Sequence, residues 1–121
     1  MSRAPQALSD ADTKSLRAAL EARRAALLLA HAGNISAATH PEGQLTDPMD
    51  MALRATEEAE RLGLAAQERR LLFEIERALA KLDAGTYGVS ELSGELIPIE
   101  RLRAVPWARR TIEEEESRRR R

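Results

Sequence analysis

Residues 85–114 decide the reading of this chain: Gly85-Thr-Tyr87-Gly-Val-Ser90-Glu-Leu-Ser93-Gly-Glu-Leu-Ile-Pro98, then Ile-Glu, then Arg101-Leu-Arg-Ala-Val-Pro106-Trp-Ala-Arg-Arg-Thr111-Ile-Glu-Glu114. A glycine-rich turn, a polar pair three residues apart, a gap of 17 residues and a second polar pair three apart make the spacing of a zinc ribbon. Structural zinc takes four thiolate or imidazole ligands in a tetrahedron. Ser90, Ser93, Thr111 and Glu114 supply three hydroxyls and one carboxylate, and the chain has no cysteine at all. The frame of a metal site stands here without its ligands, so no cofactor is expected.

A second motif lies upstream, Asp47-Pro-Met-Asp50-Met-Ala52. With the phrase Ala84-Gly85 … Tyr87-Gly88 … Gly94-Glu95 … Ile97 and the later Arg101-Leu102 … Ala104 … Pro106, it resembles the DksA/TraR family of bacterial transcription regulators. That family carries an Asp-x-x-Asp-x-Ala hairpin tip, followed by a four-cysteine zinc finger. The resemblance covers roughly residues 9–116. Ser90, Ser93, Thr111 and Glu114 occupy the cysteine positions, which is where this chain departs from the pattern.

The resemblance implies a mostly α fold: an antiparallel helical hairpin (coiled coil), a small zinc-ribbon-like β-hairpin and a C-terminal helix. Residues 1–83 would form the hairpin, with its tip near 33–52, and 84–121 the degenerate ribbon and last helix. It also implies a partner, bacterial RNA polymerase. The hairpin would enter the secondary channel and place Asp47 and Asp50 near the active centre, with Ala52 small enough to fit beside them. In such proteins, basic residues on the second hairpin helix, before the proline and after the last cysteine help bind guanosine tetraphosphate. Glu74, Val105 and Glu115 stand at those places, so the alarmone should be repelled or ignored.

Composition agrees with long helices. Alanine, leucine, arginine and glutamate dominate, and the aromatics are Phe73, Tyr87 and Trp107. At 121 residues one small domain is expected. Nineteen basic against 20 acidic residues leave a formal charge of −1, so no basic field points to sequence-specific DNA binding. The longest apolar run, Ala25–Ala30, is far too short for a membrane span. A cytoplasmic monomer without membrane association is the expectation.

Along the chain, Ser9 or Asp10 caps a first helix running to about His31, where Ala32-Gly33-Asn34 should stop it. Residues 33–46 have loop composition. Thr46 or Asp47 then opens a second helix to about Asp83, with Pro48 in the first turn. Its apolar stripe reads Ala52, Ala55, Ala59, Leu62, Ala66, Leu72, Ile75, Leu79, Leu82, with one slip. Gly63 marks a bend or a close approach of helices. Strands are predicted at 86–90 and 95–98. A last helix starts near Ile99, breaks around Pro106, resumes to about Ser117, and leaves Arg118–Arg121 solvated.

From residue type alone, Asp47 and Asp50 are also what an N-cap and a helix dipole require. Arg69 and Arg70 read either as a solvated helix face or as contacts to an acidic rim on the polymerase. His31 and His40 lack a third ligand, and no nucleophile–base set or phosphate loop occurs, so no enzyme is expected. The competing class is a structural or protein-interaction module of the same fold. Without zinc, which contributes of order 10 kcal/mol in small domains, hydrogen bonds of ~1 kcal/mol each fall short. Packing by Val89, Leu92, Leu96, Ile97, Leu102, Val105, Trp107 and Ile112 should make up the difference.

Overall fold

The computed structural model describes residues 7–38 and 47–120. Among these, α1 spans Asp10–Ala38, α2 Pro48–Ala84, α3 Ile99–Ala104 and α4 Ile112–Arg119. The chain is therefore mostly helical, with α1 and α2 forming a long hairpin. Arg17 pairs with Asp83 at 2.9 Å, and His31 lies 3.7 Å from Glu68. In both pairs an advancing residue of α1 meets a receding residue of α2, the register of an antiparallel pair.

The helix ends follow from local chemistry. Ser9 Oγ accepts from the Asp12 amide at 3.0 Å while Asp12 accepts from the Ser9 amide, a reciprocal cap. Asp47 Oδ1 accepts from the Met49 amide at 2.9 Å and so caps α2. At the other end of α2, Gly85 adopts φ +76°. The amides of Gly85 and Thr86 then return to the carbonyls of Leu82 and Lys81, the double closure that glycine permits after a helix.

The stop expected at Ala32-Gly33-Asn34 does not occur. The helix continues to Ala38, and Gly33 is not among the glycines with positive φ. An interior glycine costs only ~1 kcal/mol, and α1 absorbs it. His31 is thus two turns inside the helix and not at its end. The rest of the expected loop, including His40 and Thr46, lies at 39–46, outside the described residues. Gly63 does not mark a close approach of helices: a Cβ built there meets nothing within 4 Å, and α2 runs through it without interruption.

Contacts divide the chain into two compact units, Met1–Arg23 with Glu74–Arg121, and Arg24–Phe73. The first is organised around apolar side chains. Leu16 and Leu20 of α1, Ile75 and Ala78 of α2, Ile97 and Leu102 are all buried, and Leu20, Ile75 and Leu102 have essentially no accessible surface. Leu16, Ile97 and Leu102 form one cluster, flanked by Leu8, Tyr87 and Ala108. Each fully buried Leu or Ile contributes ~1.5–3 kcal/mol relative to exposure. Gly88, at φ +89°, lets Leu8 approach: a Cβ there would meet Leu8 Cδ1 at 3.2 Å.

Among the described residues of the second unit, the buried apolar ones are Leu27, Ala65 and Leu72. The expected stripe through Ala52, Ala55, Ala59 and Leu62 faces solvent. Stepping back from Leu72 by seven reaches Ala65, and by four and seven more reaches Arg61 and Glu58. Those two, with Glu57, are half-buried. The inward face of this part of α2 is therefore charged, and the alanine stripe lies on the outside.

The expected β-hairpin contracts to one antiparallel bridge, Val89 to Leu96, with no longer strand among the described residues. Ser90 N donates to Glu95 O at 2.7 Å and Ile97 N to Gly88 O at 2.8 Å. Gly88, with its positive φ, bounds this pairing on one side. Pro98, which lacks an N–H, bounds it on the other. The break between α3 and α4 falls around Pro106, as expected from sequence.

Candidate functional site

Asp47, Asp50 and Ala52 occupy the first turn of α2 and its immediate approach, and all three are exposed. Their neighbours are exposed too: Met49 is 80% accessible, and Met51 and Leu53 are more than half accessible. Capping uses one oxygen of Asp47. The helix start therefore presents carboxylates set among apolar side chains. Arg69 and Arg70 are likewise exposed on α2.

The four residues at the former ligand positions come together. Ser90 is 3% exposed and Thr111 8%. Glu114 Oε1 accepts from Ser90 Oγ at 2.7 Å and from the Thr111 amide at 2.9 Å. Thr111 Oγ1 accepts from the Glu114 amide at 3.3 Å, which makes Thr111 and Glu114 a reciprocal cap on α4. Ser90 Oγ accepts from the amides of Leu92 and Ser93, and Ser93 Oγ from that of Glu95. Gly94, at φ +78°, closes the turn by donating to Ser90 O at 3.0 Å. The Thr111 amide beside Glu114, then the Ser90 hydroxyl, hold its carboxyl down to about 2.

In the DksA/TraR pattern a zinc ion belongs at these positions, and the residues present do not fit one. Three hydroxyls and a carboxylate are a poor donor set for zinc, and Ser90 donates directly to Glu114. Among the described residues no group of three or more His, Asp or Glu is placed to hold a metal. The apolar support is also distributed differently from the expectation. Ile97 and Leu102 are buried, but Leu92 is 67% exposed and Ile112 47%. Leu8, Leu16 and Tyr87 supply the missing surface instead. Burial pushes the Tyr87 phenol up to about 12, and its hydroxyl donates to Pro106 O at 2.7 Å.

A second carboxylate, Glu91, ties the same turn to α2, and residue spacing gave no sign of it. It pairs with Arg77, accepts from Lys81 Nζ at 2.9 Å, and lies 3.6 Å from Arg109 Nε. The Arg77 guanidinium above all, then Lys81, holds its carboxyl at about 2. Arg109 also donates to Glu74 at 2.6 Å. The cap formed by Thr111 and Glu114, by contrast, carries a readable signature, a threonine followed three residues later by glutamate.

Glu74, Val105 and Glu115 do line one concavity, of about 510 Å³. Arg101, Arg109, Arg110, Arg118 and Arg119 line it as well. Glu74 pairs with Arg109, and Glu115 with Arg110 at 3.1 Å. Five arginines outnumber two glutamates, so the ground for expecting repulsion of a polyphosphate falls. The two acids neutralise arginines and do not make the surface acidic.

No family model matches the chain. Individual proteins do. Over 86 residues it is 34% identical to the RNA polymerase-binding transcription factor DksA of Caulobacter vibrioides, covering 69% of this chain and 61% of that one. Over 46 residues it is 59% identical to General stress protein 16O of Bacillus subtilis, covering 38% of this chain and 28% of the relative. The structure of transcription factor DksA2 from Pseudomonas aeruginosa superposes with a TM-score of 0.79 at 28% identity, covering 93% of this chain and 86% of that one. The chain spans less than two thirds of the length of these curated relatives. The chain has the fold of transcription factor DksA2. Two of these proteins, DksA and DksA2, are transcription factors, and no helix among the described residues is long and apolar enough to cross a membrane.

Proposed function

We propose that this chain binds bacterial RNA polymerase and regulates transcription without catalysing a reaction, through Asp47, Asp50 and Ala52 inserted into the secondary channel. The carrying observation is that all three are solvent-exposed at the start of α2, so the carboxylates need no rearrangement to meet a partner. The exposed methionines beside them offer adaptable apolar contact. Arg69 and Arg70 are free to serve as secondary contacts to an acidic rim. In this reading the protein works without zinc, as a cytoplasmic monomer, and reads no DNA sequence.

The test is a pull-down of core polymerase followed by open-complex decay. Asp47→Asn/Asp50→Asn should keep the helix start, since asparagine caps as well as aspartate. It should retain binding and lose most of the effect on decay. If the wild-type chain captures no polymerase, the secondary-channel reading is wrong. The fold would then serve as a structural or protein-interaction module, which the outward apolar residues of Arg24–Phe73 favour as the second reading.

A further inference from the structure

We propose that the Glu114 carboxylate takes the structural place of a metal ion in this knuckle, with Ser90 as its principal ligand. The charge pattern of a zinc site is inverted. Zinc gathers anionic ligands around a cation; here the anion at one of the four positions gathers a hydroxyl and an amide donor from two of the others. Glu114 Oε1 receives Ser90 Oγ–H at 2.7 Å and Thr111 N–H at 2.9 Å. The hydroxyls of Ser93 and Thr111 also help to keep Glu114 anionic. Both halves of the former ligand set therefore meet on a single group.

Ser90 shows why a hydroxyl suits this arrangement. A serine hydroxyl has one proton and two lone pairs. Ser90 gives its proton to Glu114 and accepts the amides of Leu92 at 3.1 Å and Ser93 at 3.3 Å. All three capacities are filled, on a side chain that is almost wholly buried. The bond spans 24 residues of sequence and joins the turn at 90–94 to the first turn of α4. Alanine at 90 would leave two amides and the carboxylate without this partner. The polymerase-binding part of the proposed function is not needed here, whereas its zinc-free part is.

Melting of the full chain, followed by Trp107 fluorescence and circular dichroism with zinc or with a chelator, separates the two claims. The wild-type melt should be indifferent to both additions. Glu114→Gln and Ser90→Ala should each lower the melting temperature by several degrees. If either variant does not fold, a third keeps the claim testable. Ser90→Cys/Ser93→Cys/Thr111→Cys/Glu114→Cys should take up one zinc per chain and fold in a chelator-sensitive way, because the four positions converge. Stoichiometric zinc in the wild-type chain would overturn the zinc-free reading itself. Wild-type melting by both Glu114→Gln and Ser90→Ala, or a folded four-cysteine variant that takes up no zinc, would overturn the clasp alone.

Discussion

The two units share the same pair of helices and solve burial in opposite ways. In Met1–Arg23 with Glu74–Arg121, Leu16, Leu20, Ile75, Ile97 and Leu102 are buried, and charged residues form defined pairs around them. Among the described residues of Arg24–Phe73, three buried apolar residues share the inward face with half-buried Glu57, Glu58, Arg61, Glu68 and His31. Among the described residues, nine of the eleven exposed large apolar ones belong to this second unit, Leu29 at 79% and Met49 at 80% included. Charged groups brought inward lose hydration and regain it only through good pairing, while outward leucines bury nothing. The first unit is therefore the stability centre. The described residues of the second bury less apolar surface and leave more of it exposed.

The largest test of that contrast is truncation. Leu20→Ala or Ile75→Ala should cost ~2–5 kcal/mol in chemical denaturation, because each empties a fully enclosed site. Leu29→Ala should stay within about 0.5 kcal/mol. Equal losses at Leu20 and Leu29 would erase the distinction between the units.

Acid should act next, and on the first unit. Glu91 and Glu114 both sit at about 2 in the folded chain, against an ordinary value of 4.5. A carboxyl lowered by folding contributes stability above its unfolded value and loses it as pH falls through the folded one. Trp107 fluorescence should therefore report declining melting temperatures from about pH 4.5 towards 2. Glu91→Gln and Glu114→Gln should each flatten that slope. An unchanged acid limb in both variants would mean that neither network holds the unit.

The smallest effect should appear as a gain in the second unit. A Cβ at Gly63 meets open space within a continuous helix, so Gly63→Ala should stabilise it by ~1 kcal/mol. Slower hydrogen exchange across 55–72 would register this, and a loss there would show that α2 uses the glycine after all.

Residue chemistry alone carried the main boundaries of the two long helices, because capping residues and a proline in the first helical turn act within a few positions. Ser9, Asp47 with Pro48, and Gly85 each mark a boundary for that reason. The same local logic misread Gly33, whose modest cost the rest of α1 outweighs. It also made the alanine stripe inward, since apolar spacing cannot say which of two faces a partner helix covers. The paired serines and the Thr111–Glu114 spacing told where the knuckle lies and that thiolates are missing. Which group would occupy the middle was not legible, because Ser90 and Glu114 meet only when a 24-residue excursion closes. Glu91 is the sharper case: Arg77, Lys81 and Arg109 reach it from 14, 10 and 18 positions away, a convergence that no local pattern encodes. Short-range preferences settle where helices begin and end, whereas the pairing of charges and the choice of buried face depend on which surfaces the folded chain brings into contact.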